Sequence, residues 1–191
     1  MKRPRGRPPR AEAPASRDDM VVAALDLLDS EGADALTMRA LAERLGINPM
    51  TIHHHFGGRD GLIGAMSEAV YAQVTALEHG TPIDRIGEIL MAYYAQVLRY
   101  PGLTMLIFSR PTVFPKQAER ITDEISALLS EVGLPDDRTW RWRDILVDFT
   151  HGSALATAMS ATGLDCAPQE DQGYTMALTE LLTGLKRASD R

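Results

Sequence analysis

The sequence predicts an all-α protein. Apolar residues recur every three or four positions along most of the chain, which is the period of amphipathic helices. No long segment alternates with the period of two that is typical of strands. Ser, Thr, Asn, Pro and Gly stand at the points where helices would begin and end. Together these observations predict about nine helices in sequence.

The first helix begins after Ser16. Asp19 stands three residues later, where it completes a capping box with the serine. Gly32 follows the last periodic residue and ends the helix. The apolar stripe of this helix consists of Val21, Ala24, Leu25 and Leu28.

The second helix begins after Thr37, whose hydroxyl caps the first turn. Leu36, just before the cap, is placed to pack on Leu41 as a hydrophobic staple. Gly46 supplies the left-handed residue that ends the helix. The inward positions are Met38, Leu41, Ala42 and Leu45.

A third short helix follows at once across a tight glycine turn. Asn48 caps it, and Pro49 occupies the first helical position, where its missing N–H costs nothing. Ile52 and Phe56 share the face that packs on the second helix. Two short helices joined in this way predict a helix-turn-helix that reads DNA. The outward positions are Met50, Thr51 and His54, flanked by His53 and His55.

The rest of the chain predicts six further helices. Their expected ranges are about 60–78, 83–100, 103–109, 115–132, 137–161 and 169–188. They are separated by Pro and Gly clusters, and no internal repeat is visible.

The segment Thr37 to Leu62 resembles the signature of the TetR family of regulators. Its run T-x-R-x-L-A-x-x-L-G is followed, after a short turn, by T-I-H-H-H-F-x-x-R-D-x-L. In the family the recognition helix usually has T-L-Y-x-H-F and then a basic residue, an acid and a leucine, and the match covers roughly Val21 to Met66. The resemblance implies a three-helix DNA-binding domain over 16–66, joined to a helical effector-binding and dimerisation domain over 67–191. The helix after the motif transmits ligand occupancy in this family.

The resemblance also assigns DNA contacts. Phosphate contacts fix the register of a reader, whereas contacts to base edges carry sequence information. The matching base-facing positions are Arg39, Pro49 and Met50, with Arg39 suited to guanine O6 and N7 and Met50 to a thymine methyl. Asn48 and His55 complete the predicted set, although His55 serves equally well in packing. The matching phosphate positions are Thr37, Thr51, His53, His54 and Arg59.

The three consecutive histidines allow more than one interpretation. His53 and His54 stand where the family commonly has phenols or indoles, and protonated imidazole donates two charged hydrogen bonds to phosphate. We therefore expect tighter DNA binding at pH 6 than at pH 8. Surface and hinge packing is the plainer alternative. Adjacent helix residues lie about 100° apart and cannot converge on one tetrahedral ion, so we predict no metal and no cofactor.

Residues 1–15 predict a disordered basic arm. The first ten residues carry five Lys or Arg and no acid, and they lack the apolar segment of a signal peptide. The run Pro4-Arg5-Gly6-Arg7-Pro8 resembles an AT-hook, which lies in the minor groove of A·T-rich DNA. A generic basic tail that adds only non-specific affinity is the alternative. Either interpretation puts Arg5 and Arg7 on DNA.

The net charge of −6 is unevenly distributed. Residues 1–60 hold nine basic and nine acidic residues, whereas residues 61–191 hold eleven and seventeen. An acidic body repels stray DNA and leaves the basic arm and motif to bind it. Cys166 is the only cysteine, and no segment has the length and apolarity of a membrane span. We expect a soluble cytoplasmic protein.

The last two helices predict a homodimer interface. In the family they pair with their copies as a four-helix bundle, and each protomer presents one recognition helix to a palindromic half-site. The alternative is that these stripes close the core of a monomer. The stripes are Trp142, Ile145, Leu146, Phe149, Gly152, Ser153, Ala156 and Met159 on one helix, and Tyr174, Leu178, Leu181, Leu182 and Leu185 on the other.

The family's effector pocket lies among the middle helices, where this chain has bulky, adaptable side chains. Such residues at helical spacing are also ordinary core. Composition suggests an apolar or amphipathic small-molecule effector. The predicted pocket residues are Met91, Tyr94, Leu98, Met105, Phe108, Phe114, Trp140, Phe149 and Met159.

Together these features predict a ligand-responsive transcriptional repressor. It would bind a palindromic operator in double-stranded DNA as a homodimer and be released by a small-molecule effector. The alternative is a DNA-organising or division-linked binder on the same fold without an effector. An enzyme is not predicted, because the neighbouring His151 and Ser153 diverge by about 200° on a helix and form no nucleophile-base pair.

Overall fold

The computed structural model describes residues 15–110, 113, 115–161 and 172–189. These residues form nine α-helices and no strand, which confirms the all-α prediction. The helices are α1 (Arg17–Glu31), α2 (Met38–Leu45), α3 (Pro49–Phe56), α4 (Arg59–Tyr71), α5 (Pro82–Arg99), α6 (Pro101–Phe108), α7 (Lys116–Glu131), α8 (Asp136–Ala161) and α9 (Gln172–Ser189). None of the described helices is both long and apolar enough to cross a lipid bilayer.

The first three helices begin as predicted, and α1 and α2 also end as predicted. The Asp19 amide donates to Ser16 Oγ at 3.1 Å, and the Ser16 amide donates back to Asp19 Oδ2 at 2.8 Å. The bonds from Ser16 hold the pKa of the Asp19 carboxyl below its usual range. Gly46 ends α2 with φ 65°, in the left-handed region that favours glycine.

Helices α1 to α4 share one apolar core. Leu36 and Leu41, the predicted staple pair, are both completely buried. Ile52 is also completely buried and Phe56 nearly so, which confirms the inward face predicted for α3. The same buried cluster continues without a break into the helices that follow. The short helices are thus held by packing rather than by intrinsic helix stability.

Helix α4 ends at Tyr71, although the sequence predicts a helix to residue 78. The reason is a long-range contact from α7. Arg120 donates to the carbonyl oxygens of Tyr71 and Val74, at 3.3 Å and 2.5 Å, and its Nη1 lies 3.1 Å from Glu124 Oε2. Glu124 in turn accepts a hydrogen bond from the Ala76 amide at 2.9 Å. The two side chains satisfy backbone groups that further helix would have satisfied, so the chain turns away.

The larger part of the fold packs around α5. This helix lies mainly against α7 and α8, with α9 on another side. Thr81 and Asp84 form a capping box at its start, and Ile86, Ile89 and Leu90 are completely buried. This larger part meets helices α1 to α3 in two places. One is α4, and the other is α1, where Leu28 approaches Gly102 of α6.

The stripes predicted for a dimer interface divide between core and surface. Tyr174, Leu178 and Leu185 of α9 are buried within the chain, as is Leu146 of α8. The Tyr174 hydroxyl donates to the Leu90 carbonyl at 3.2 Å. These four residues close the chain's own core, because α9 packs on α5. The members that face solvent are Ile145, Gly152, Ala156 and Met159, which recur on one face of α8.

Gly61 sits at the closest approach between α3 and α4. A Cβ placed on Gly61 would lie 1.8 Å from the carbonyl oxygen of Phe56, well inside any permitted contact. Gly57 and Gly58 form the corner just before it, with φ 73° and 136°. The angle between α3 and α4 therefore depends on a position that has no side chain.

We expect Gly61→Ala to lower the free energy of unfolding by about 1 to 3 kcal/mol, because the new methyl group must push α4 away from the end of α3. Gly64→Ala is the matched control on the same helix, since a Cβ there meets nothing within 4 Å. It should raise stability by about 0.5 to 1 kcal/mol through helix propensity alone. Urea unfolding followed by circular dichroism measures both. Equal effects from the two substitutions would contradict the close approach.

Candidate DNA-binding surface and small-molecule cavity

Side-chain caps fix the starts of α2 and α3. Thr37 Oγ1 accepts a hydrogen bond from the Ala40 amide at 3.1 Å, and Asn48 Oδ1 accepts one from the Met50 amide at 2.8 Å. Both capping residues are exposed. The Thr37 hydroxyl and the Asn48 amide group keep hydrogens that point to no backbone acceptor of their own helix, so each can still donate to a phosphate.

The side chains predicted to face bases all lie on the surface. Arg39 is 85% exposed and its Nε lies 3.0 Å from Glu43 Oε1, an ion pair within one helix turn. Such an exposed pair is worth little, so the guanidinium is free to leave it for a base edge. Met50 is 66% exposed, and Pro49 beside it is exposed as well. An exposed methionine on a short capped helix is available for apolar contact with a thymine methyl.

The residues predicted to contact phosphate also lie outward on α3. Thr51, His53, His54 and His55 are all exposed. The His55 ring lies 6.2 Å from His54 and 6.3 Å from Phe56, and the His53 ring borders the turn at Gly58. Within the described residues, no three His, Cys, Asp or Glu side chains come together as a metal site would require.

Arg59 has a structural contact that the sequence did not reveal. Its Nη2 donates to the Ala33 carbonyl at 2.7 Å, and its Nε is buried without a hydrogen-bond partner in the described part of the chain. The side chain therefore ties the start of α4 to the loop between α1 and α2. For a contact with phosphate, Arg59 has Nη1 and the second hydrogen of Nη2. Arg5 and Arg7 of the predicted arm lie outside the described residues.

A cavity of about 330 Å³ lies against the face of α4 that points away from the core of α1, α2 and α3. Its wall is mostly apolar, with a few polar groups on α4, α5, α6 and α8. Cavities of this size and lining are typical of small-molecule sites. The lining residues are Ser67, Tyr71, Tyr93, Thr104, Ile107, Phe108, Arg110, Val113, Pro115, Ala118, Ile121, Thr122, Val147 and His151.

The polar groups of the cavity are almost all neutral. The Tyr71 and Thr104 hydroxyls are 2.9 Å apart, and the Tyr93 hydroxyl is hydrogen-bonded to His151 Nε2. Burial raises the pKa of the Tyr71 and Tyr93 hydroxyls. Burial also lowers the pKa of the His151 imidazole, and the negative charge of Asp148 partly offsets that lowering. Ser67 Oγ is completely buried and has no hydrogen-bond partner in the described residues. A buried hydroxyl without a partner is costly unless a bound molecule satisfies it.

Of the nine residues predicted for an effector pocket, Phe108 lines this cavity. Tyr94 instead stacks on Tyr174 with ring centres 3.9 Å apart, and Phe149 stacks on the same ring at 5.5 Å. Leu98 is half-buried in the core. Phe114 lies outside the described residues. Four others are exposed large apolar side chains at other places in the fold: Met91, Met105, Trp140 and Met159.

The polar lining of the cavity was not predicted from the sequence. Tyr71 and Ser67 are four residues apart on α4 and therefore share a face, which is a signal that spacing alone supplies. Thr104 and His151 gave no such signal, because their partners are distant in sequence. Thr104 is hydrogen-bonded to Tyr71, 33 residues away, and His151 to Tyr93, 58 residues away.

Comparison with known proteins agrees with this geometry. Residues 21–66 match the family model described as bacterial regulatory proteins, tetR family. These residues run from α1 into α4 and so include both helices of the predicted DNA reader. The match covers the surface described above and not the cavity beyond it.

Two relatives extend the comparison. The nucleoid occlusion factor SlmA of Vibrio vulnificus strain YJ016 is 28% identical over 123 residues, which cover 61% of this chain and 62% of the relative. The class A tetracycline repressor of Escherichia coli, from transposon 1721, is 44% identical over 54 residues, 28% of this chain and 25% of that protein. The chain thus matches about three fifths of one relative's length and a quarter of the other's.

The fold as a whole resembles a solved structure. The transcriptional regulator SCO7222, a TetR from Streptomyces coelicolor, superposes with a TM-score of 0.78 at 24% identity, over 93% of this chain and all of that one. This likeness concerns the arrangement of the helices. Residues 21–66 therefore carry the DNA-binding domain of the tetR family, and the helices of the chain as a whole are arranged as in that TetR protein.

Proposed function

We propose that this chain is a ligand-responsive transcriptional repressor that binds a palindromic operator as a homodimer and leaves it when a small molecule fills the cavity. One observation carries the proposal. Helix α4 follows the exposed helix α3 directly, and its Ser67 and Tyr71 form part of the cavity wall. A molecule that fills the cavity therefore contacts the same rigid helix that positions α3.

The DNA-binding part of the proposal rests on exposure and capping. Arg39, Pro49 and Met50 would contact bases, whereas Thr37, Thr51, His53 and His54 would contact phosphates, with Asn48 and His55 beside them. Arg59 would act mainly by holding the start of α4 against Ala33. We assign residues 16–66 to DNA binding and the helices beyond to effector binding and dimerisation.

The homodimer would form through the exposed faces of α8 and α9. Ile145, Gly152, Ala156 and Met159 recur on one side of α8 and leave its surface apolar or small. A Cβ on Gly152 would meet no atom within 4 Å, so a second helix can approach closely there. Two-fold symmetry would then place one α3 at each half of a palindrome.

The cavity favours this function over a DNA-organising role without an effector. The similarity to a nucleoid occlusion factor is the observation that supports the organising role. A mostly apolar cavity of about 330 Å³ with a buried hydroxyl in its wall supports the binding of a small molecule. A genome-wide map with many scattered sites and no small-molecule response would favour the organising role.

We expect Arg39→Ala to cost about 1 to 3 kcal/mol on the cognate site and to relax specificity at one base pair, because the guanidinium contacts a base edge. Thr51→Ala should weaken every site alike, by about 0.5 to 1.5 kcal/mol, because it removes a phosphate contact. Arg44→Ala is the matched charge control, since Arg44 lies on the same helix and pairs with Glu31. Fluorescence anisotropy on the operator and its single-base variants measures all three. Equal losses across sites for Arg39→Ala and Thr51→Ala would refute the division of roles.

We expect operator affinity to be higher at pH 6 than at pH 8 at fixed salt, since a protonated imidazole on α3 would donate charged hydrogen bonds to phosphate. Each exposed histidine should contribute roughly 0.2 to 1 kcal/mol. A His53→Gln/His54→Gln variant should flatten the profile, whereas His79→Gln, an exposed histidine between α4 and α5, should not. A wild-type affinity that does not vary with pH would remove this role for the histidines.

We expect an Ile145→Glu/Ala156→Glu variant to be monomeric, because two like-charged patches would face each other across the proposed dimer axis. Its circular dichroism should match the wild type, while its affinity for a full palindrome should fall towards that for a single half-site. Leu77→Glu, which replaces an exposed apolar residue away from α8 and α9, should remain dimeric. Light scattering after size exclusion reports the mass. A dimeric double variant would place the interface elsewhere.

A further inference from the structure

Arg110 connects the cavity to the start of α4. It follows α6 and is the only side chain with a full charge among the described lining residues, the pKa of His151 being lowered by burial. Its Nη1 lies 2.6 Å from Asp60 Oδ1. Asp60 stands in the first turn of α4, next to Arg59 and just past the end of α3. One guanidinium therefore faces both the cavity and the corner that positions α3.

The Arg110 guanidinium has capacity for a second partner. Its Nε and Nη2 make no hydrogen bond to any described residue, and about a third of the side chain is exposed. Asp60 is about half exposed, so water weakens the pair. The facing walls offer neutral phenols, hydroxyls and the His151 imidazole. Two carboxylates lie nearby without lining the cavity: Glu68, which is bound by Gln117, and Asp148 beside His151.

From this arrangement we infer that the effector is an amphipathic monocarboxylate whose apolar body fills the cavity and whose carboxylate binds Arg110 in place of Asp60. The inference rests on the proposed function and names the ligand class of that site. A guanidinium group can bind a carboxylate through two parallel hydrogen bonds. Arg110 makes one hydrogen bond to Asp60, through Nη1, so a ligand carboxylate could bind it in the stronger two-bond geometry. The mostly apolar wall accepts a hydrocarbon or aromatic body.

Ligand binding then acts on the reader through Asp60. Once Arg110 turns to the ligand, the first turn of α4 loses its ion pair to the loop after α6 and keeps only the contact of Arg59 with Ala33. The corner between α3 and α4 is then held less tightly to the loop after α6. The ligand thus favours the arrangement in which Arg110 has left Asp60, because only there does it bind the guanidinium. A ligand shifts a population when it binds one arrangement better than the other.

The test compares decanoate with decan-1-ol by isothermal titration calorimetry on the full chain without DNA. We expect decanoate to bind wild type about tenfold more tightly than the alcohol. Arg110→Gln should abolish that preference, and Arg110→Lys should retain part of it. Asp60→Asn should increase decanoate affinity several-fold, because Arg110 is no longer shared. Arg85→Gln is the matched control, an arginine of α5 paired with Glu131 outside the cavity lining, and should keep the wild-type preference.

Several results would overturn the inference: no binding of either compound, equal wild-type affinities, or an equal loss of both compounds in Arg110→Gln. A second titration follows decanoate-induced release of operator DNA, which should be weaker in Asp60→Asn than in wild type. Equal release would overturn the route through Asp60. If wild type binds palindromic DNA but its preference for decanoate does not depend on Arg110, the inference fails while the regulator function stands. If no palindromic DNA is bound, the proposed function fails, and the calorimetric preference still decides the ligand class.

Discussion

The whole structure depends on α4 being packed along both of its faces. One face closes the core that holds α1, α2 and α3, and the other forms a wall of the cavity beside α5, α6 and α7. Leu62, Ile63 and Met66 of this helix are buried almost completely. Protein interiors are close-packed, so a helix buried in this way moves as a unit with its neighbours or not at all. In the proposed function, a change at the cavity would reach the corner with α3 as a shift of this helix.

Polar contacts hold α4 at both ends, and each comes from a different part of the fold. Arg59 binds the Ala33 carbonyl and Asp60 pairs with Arg110 at the start, while Arg120 of α7 binds the last carbonyls. Hydrogen bonds to charged groups are worth about 1.5 to 3 kcal/mol each when partly buried. The exposed Asp60 pair is the weakest of the three, which makes it the contact most readily exchanged. Gly61 adds a steric limit, because it lets α4 approach the end of α3.

The sequence predicted what is determined locally. Ser16, Thr37, Asn48 and Pro49 fix helix starts within three or four residues, and the structure confirms each of them. The end of α4 was predicted too late, because Arg120 lies nearly fifty residues away and no local pattern reveals it. The polar lining of the cavity was missed for the same reason, because it is assembled from side chains that are distant in sequence. Of the bulky residues predicted for the pocket, Phe108 lines the cavity, whereas the other described ones stack elsewhere in the core or stand exposed.

The proposed function requires DNA binding and the cavity to be coupled through α4, and coupling between two sites is reciprocal. Hydrogen–deuterium exchange of the full chain with and without operator DNA tests it most directly, without any ligand. We expect protection at the starts of α2 and α3, together with altered exchange along α4 as far as Tyr71 and from α6 to Arg110. Protection confined to α2 and α3, with unchanged exchange beyond Gly58, would contradict it.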